Sequence, residues 1–182
     1  MSIMEKSQFW GATDEERTAS YPCLGYAQQP FQTFLRAVDV EADADTVFRW
    51  LCQLKVAPYS YDWIDNPGRT SPRTLTPGVE HLEVGQRFLI ARIVEFELGS
   101  HITGVSTPWA SRIYGHITLT YRVTPIGAGA SRLVVCMTVA ASGRLSRLRR
   151  TLLGWGDLIM MRKQLLTLKH LAERNGSLNA NR

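Results

Sequence analysis

The C-terminal stretch from about Leu145 to Glu173 limits what this chain can fold into more than any other feature. Leu148, Leu152, Trp155, Ile159 and Leu166 recur at helical spacing, and Leu158, Met161, Leu165, Leu168 and Ala172 widen the stripe into a broad arc. A helix with so wide an apolar arc needs a long partner surface, and a sheet that wraps around the helix supplies one. Gly154 and Gly156 flank Trp155 within this pattern. Each weakens a helix by about 1 kcal/mol relative to Ala, which points to close backbone approach or a bend at that place.

The partner sheet is written further upstream in a different period. Phe31 to Glu41, "FQTFLRAVDVE", reads as a mostly buried first strand. "ADADTVFRWLCQL" then supplies Asp43 or Asp45 as an N-cap and Val47, Trp50, Leu51 and Leu54 as a helical stripe. Pro67 to Gly85 holds three prolines and three glycines and reads as a long connection. From Gln86 the pattern has period two, with Phe88, Ile90, Val94 and Phe96 on one side, and after a turn at Leu98 to Ser100 it resumes over Ile102 to Ser106. Arg112 to Thr124 alternates again, with Ile113, Ile117, Leu119, Tyr121 and Val123 on the apolar face, and Arg132 to Ala140 closes the set. Short turns between these strands make them antiparallel neighbours.

This order of elements predicts an α+β fold: a curved antiparallel sheet wrapped around a long C-terminal helix, with one or two short helices after the first strand. Residues 31–176 form the domain. Residues 1–30 form an irregular lead-in, with a short helix near Asp14 to Thr18 and aromatics that dock on the domain, and residues 177–182 form a disordered tail.

Composition narrows the function. With 45% hydrophobic and 20% charged residues the chain is an ordinary globular one, and no apolar run approaches the ~18 residues of a membrane span. The first 30 residues lack the apolar core of a secretory signal, so a cytoplasmic protein is expected. Cys23, Cys52 and Cys136 are widely spaced with no CxxC pair, which fits a reducing compartment, and Cys52 and Cys136 read as small buried hydrophobes. There is no GxGxxG, P-loop, GxSxG or HExxH, so nucleotide chemistry, serine hydrolysis and zinc proteolysis have no support, and neither a cofactor nor a metal is expected. Residues 143–182 hold nine Lys or Arg against two acids, but without interleaved aromatics they do not suggest nucleic-acid binding.

The order of elements, with "VDVEADADTVFRWLCQL", "YSYDWIDN" followed by "LEVGQRF", and "WGDLIMMRKQLLTLKHLAER", resembles the START-like helix-grip proteins, also called SRPBCC or polyketide cyclase and dehydratase-like. The resemblance covers roughly residues 31 to 174. It implies a deep apolar cavity between the sheet and the long helix, and six or seven strands where five are legible here. Because that superfamily includes lipid carriers, aromatase-cyclases, hormone receptors and allergens, it names a fold and not an activity.

The expected function is therefore to bind or transport a small, mostly apolar molecule in the cavity. The alternative is a polyketide cyclase or dehydratase-like enzyme using the same space. Trp50, Tyr121, Trp155 and Met161 converge on it from separate elements, together with Phe88, Ile117, Met137 and Met160. Tyr59, Tyr61 and Trp63 either line its mouth or pack a capped turn, with Ser60 or Asp62 as the cap. Asp62 is also the candidate acid-base group. Asp157 sits amid apolar residues as a structural ion pair or a ligand-facing carboxylate. Arg92 is in phase with Phe88 and Phe96, either facing the cavity to meet an oxyanion, or held in a salt bridge or exposed at a strand edge. His101 and His116 lack spaced partners and read as surface residues. Arg144, Arg147, Arg149 and Arg150 open the last helix with charge of the wrong sign for its dipole, a solvated turn or a docking point for an anionic surface or an acidic carrier protein.

Overall fold

The computed structural model describes residues 8–60 and 70–140, the backbone of a helix over 146–180, and that helix's side chains over 159–176. In chain order the elements are β1 (Phe9–Trp10), α1 (Asp14–Thr18), a 3-10 turn (Pro22–Tyr26), β2 (Phe31–Val40), α2 (Ala44–Cys52), a second 3-10 turn (Gln53–Lys55), β3 (Arg87–Phe88), β4 (Ala91–Glu97), β5 (His101–Ser106), α3 (Pro108–Tyr114), β6 (Ile117–Gly127), β7 (Ala130–Ala140) and α4 (Ser146–Ala180). The strands form one curved sheet in the order β1-β2-β7-β6-β5-β4-β3. Every neighbouring pair is antiparallel except β1 with β2. The α+β helix-grip architecture follows, with α2 and α4 against one side of the sheet.

Alternation along the strands builds two layers. Phe34, Val38 and Val40 of β2, Leu119, Tyr121 and Val123 of β6 and Leu133, Val135 and Met137 of β7 face the helices and form the main core with Trp50, Leu51, Leu165 and Leu168. Leu35, Ala37, Val134 and Cys136 point the other way and meet Tyr21 and Cys23 of the lead-in. Residues 8–30 are thus integral to the sheet: they add the strand β1, pairing Phe9 with Leu35, and cover its outer face. No described helix is long and apolar enough to cross a membrane.

In α4 the buried side runs through Met161, Leu165, Leu168 and Ala172, while Ile159 and Leu166, expected in the apolar stripe, are exposed. Four further details differ from the sequence reading. The sheet has seven strands, and the two not anticipated are β1 and β3, each two residues long. Arg112 to Tyr114 belong to α3 and not to a strand. Thr107 caps that helix by accepting from Ala110 N at 3.3 Å, Pro108 sits in its first turn, and Gly115 at φ 88° ends it. Alternation therefore starts only at Ile117, and Ile113 is exposed. The C-terminal helix runs to Ala180, so residues 177–180 are helical where a disordered tail was expected.

The fourth correction is Arg92. The tight turn at Leu89-Ile90 pairs Phe88 directly with Ala91, so the inward phase resets to Ala91 and Ile93, both buried. A register shift between Ile93 and Glu95 then returns Phe96 to the core side. Arg92 falls on the outward side of this interrupted pattern, exposed, with Nη1 donating to Gly85 O at 2.8 Å.

Candidate functional site

Trp50 is carried by α2, a helix set by its N-cap: Asp43 accepts from Thr46 N at 2.8 Å and from the Thr46 hydroxyl at 2.8 Å. From this cap the spacing of Val47, Trp50 and Leu51 turns all three into the core. Trp50 is 0% exposed and meets Tyr59 edge to face, ring centroids 6.0 Å apart. Tyr59 has φ 55°, an uncommon conformation for a bulky residue. Its hydroxyl donates to Pro72 O at 2.6 Å, which ties the segment after α2 to the start of the long connection.

Opposite them, Tyr121 projects from β6 and packs edge to face on Phe88 at 5.5 Å. Its hydroxyl donates to Gln164 Oε1 of α4 at 2.5 Å and lies 3.5 Å from Met161 Sδ. Gln164 Nε2 donates in turn to Pro58 O at 2.6 Å. One buried amide thus bridges the sheet, the long helix and the segment leaving α2, with both ends of its dipole satisfied. These bonds involve only neutral groups. Among the described residues no Asp or Glu is buried, and none is grouped with His or Cys so as to hold a metal.

Against this paired network stands Trp50 Nε1. It is buried and has no acceptor among the described residues. A buried donor left without an acceptor costs about 1–3 kcal/mol, and such groups are rare in native interiors. Set among the rings of Tyr59 and the core, the indole N–H is a donor that an oxygen acceptor would satisfy. Cys52, its near neighbour in α2, is a different case: burial pushes its thiol up to about 12, which leaves an inert apolar group.

The structure brings four of the sequence candidates together: Trp50, Tyr59, Tyr121 and Met161 belong to one core cluster that also holds Phe88, Ile117 and Met137. Arg92 does not join them. Tyr61, Asp62 and Trp63 lie outside the described residues, and with them the turn that Ser60 or Asp62 was expected to cap. So do Arg144 and the side chains of Arg147, Arg149, Arg150, Trp155 and Asp157, the last five of which sit on the backbone of α4. His101 lies near Glu95 at 3.4 Å and His116 near Tyr26 O at 3.0 Å, both outside the core. Gln164 was not among the sequence candidates. Its signal was a polar residue standing inside the apolar arc, between Met161 and Leu165.

The fold is of the helix-grip class, a curved antiparallel sheet closed over a long C-terminal helix. Among solved structures the chain is similar to the Zhui aromatase/cyclase of a Streptomyces species, at 19% identity and a TM-score of 0.52 over 79% of this chain and 94% of that one. It is similar to protein MLL2253 from Mesorhizobium loti, at 14% identity and a TM-score of 0.51 over 79% and 98% of the two chains. The di-domain aromatase/cyclase StfQ of the steffimycin biosynthetic pathway matches at 15% identity and a TM-score of 0.51, over 81% of this chain and 52% of that one. At such identities the likeness establishes the fold. No protein-family model and no curated protein matches the sequence.

Proposed function

We propose that this protein binds a small, mostly apolar molecule between the helix-facing side of the sheet and α4, and that the Trp50 indole N–H donates to an oxygen of that molecule. The observation that carries the reading is the fully buried, acceptorless Nε1 amid aromatic side chains. A carbonyl, ether or hydroxyl oxygen would satisfy the donor, while the rings of Trp50, Tyr59, Phe88 and Tyr121 offer apolar and edge-to-face contact to the rest of the ligand. The Tyr121–Gln164–Pro58 chain holds the sheet and helix at a set separation around it.

The cyclase or dehydratase alternative requires an acid-base pair aimed at one reacting carbon. Its acid-base candidate, Asp62, lies outside the described residues, and Arg92, its candidate for meeting an oxyanion, lies on the outside of the sheet. No feature of the described core favours proton transfer over binding.

Native mass spectrometry of the purified protein, followed by titration with oxygenated and purely hydrocarbon aromatic probes, tests the proposal. Trp50→Phe keeps an aromatic ring but removes the donor, and is expected to weaken oxygenated probes about 5- to 10-fold while leaving hydrocarbon probes unchanged. Absence of any co-purifying ligand together with failure of the whole probe panel to bind would overturn it. Affinity is expected to be flat between about pH 5 and pH 8, because the described partners are neutral. A slope in that range would bring a carboxylate into the site and revive the enzyme reading.

A further inference from the structure

One end of the sheet collects features that the ligand site does not use. Ala91 pairs with Ser106, Phe31 with Ala140 and Ile117 with Val139, so the β3–β4 turn, α3, the start of β2 and the end of β7 lie at the same end. Two backbone bonds fasten it: Thr107 N donates to Ile90 O at 3.1 Å and Ala140 N to His116 O at 2.9 Å. The chain leaves β7 at Ala140 and begins α4 at Ser146, so the first turns of the long helix follow directly from this end.

The surface there is apolar where it should be polar. Trp109 is 65% exposed and Ile113 42% exposed, one turn apart on a single face of α3, while Ala110 on the other face is fully buried. Ile90, hydrogen-bonded to the residue that caps α3, is 38% exposed. Exposure of one such residue is ordinary, but a Trp and an Ile one turn apart on a capped helix, with an exposed Ile in the turn bonded to the residue that caps it, form a patch.

Arginines border the patch, and the chain on either side of α3 carries no Asp or Glu between Glu97 and Asp157. Arg112 lies on α3 itself, Arg87 stands at the base of the β3–β4 turn, and both are exposed. Arg147, Arg149 and Arg150 follow in the first turns of α4.

We propose that this end docks on an anionic lipid bilayer, with Trp109, Ile113 and Ile90 at the headgroup boundary and Arg87 and Arg112 against lipid phosphates. An interfacial Trp beside branched apolar side chains and flanking arginines is what a shallow, reversible membrane contact needs, each basic residue near an anionic surface adding favourable energy. A protein partner fits less well, because three apolar side chains fall short of the ~800 Å² per partner of a stable interface. The proposal stands independently of the ligand site.

Co-sedimentation with phosphatidylcholine vesicles containing about 30 mol% phosphatidylserine, set against phosphatidylcholine alone, tests it. The intact chain should bind the anionic vesicles, and binding should fall as salt rises from about 0.05 to 0.5 M. The double variant Trp109→Ala with Ile113→Ser changes exposed positions only and should reduce binding about tenfold, and Arg87→Gln with Arg112→Gln should flatten the salt dependence. As a readout that needs no loss of binding, brominated lipid should quench the intact chain more than Trp109→Phe, since that variant lacks only the inserted ring. No binding to anionic vesicles, equal binding by the Trp109/Ile113 variant, or quenching identical with and without Trp109 would each overturn the proposal. Loss of capture by an acidic protein in the same variants, without vesicle binding, would assign the patch to a protein partner instead.

Discussion

The two faces of the sheet use the same strands to opposite ends. On the outer face the threonines of β5, β6 and β7 are linked in pairs, Thr103 to Thr120 at 2.8 Å and Thr118 to Thr138 at 2.7 Å. The lead-in closes over them, with Thr118 donating to Cys23 O at 2.7 Å and Cys23 N donating to Thr120 at 3.0 Å. At the rim Arg132 grips both oxygens of Glu16 at 2.7 and 2.9 Å, while Glu16 also completes the capping box of α1 with Thr13. The side facing α4 is large, aromatic and mostly apolar, and among the described residues it leaves the Trp50 indole N–H without an acceptor. A face whose polar groups are all consumed is built for stability. A face that holds an unsatisfied donor among aromatic rings is where the proposed ligand would sit.

Breaking the outer face should cost the most stability. Arg132→Met leaves Glu16 half-buried without its guanidinium and frees the lead-in, for an expected loss of about 2–3 kcal/mol in urea unfolding at neutral pH. The effect carries a pH signature. Burial raises the Glu16 pKa, but the hydrogen bonds from Arg132 and the Thr13 N–H outweigh it and hold the carboxyl below its ordinary value of 4.5. A lowered folded pKa gives stability that is fully present above that value and is lost as pH falls through the folded one. Below it the variant and the parent should converge, and a difference that persisted in acid would assign the loss to packing.

On the inner face Tyr121→Phe deletes a donor and leaves Gln164 Oε1 buried without one, for about 1–3 kcal/mol. Adding Gln164→Leu should recover part of that loss, since removing both partners of a buried bond costs less than removing one. Failure of the double variant to recover would show that the bond to Pro58 O matters more. Thr118→Val on the outer face should cost about 1–2 kcal/mol and leave ligand affinity untouched. Trp50→Phe should show the reverse, a stability change under about 1 kcal/mol with a clear loss of affinity for oxygenated probes. If the two variants behaved alike, the division between a structural and a receptive face would fail. The smallest effect is expected for Arg92→Gln, within about 0.5 kcal/mol and without change in binding, because that side chain is exposed.

Much of the fold was legible because long amphipathic segments carry strong periods. The alternation from Ile117 to Val123 and from Leu133 to Val139 and the cap at Asp43 appear in the structure where their spacing placed them, and of the last helix's arc Met161, Leu165, Leu168 and Ala172 are buried while Ile159 and Leu166 are exposed. What failed to be legible was short. A two-residue turn at Leu89-Ile90 reverses the face of every residue after it, and no periodicity window resolves an event that small. Ile113 continued the odd-numbered apolar phase of β6 by coincidence, which hid a helix that Thr107 and Pro108 announced by their cap chemistry.

By itself the sequence determined the layers in its long segments: that the last segment is a helix, that β2, β6 and β7 are strands, and which side of these strands seeks the core. These follow from local spacing and from the need to bury apolar surface. Only the tertiary structure decided partnership. That Gln164 would bridge Tyr121 and Pro58, that Cys23 and residues 8–30 would roof the outer threonines, and that Trp50 would be buried without an acceptor all depend on groups far apart in sequence meeting within hydrogen-bond distance. A hydrogen bond is satisfied or not over a few tenths of an ångström, a scale that packing sets and a pattern of residues does not contain.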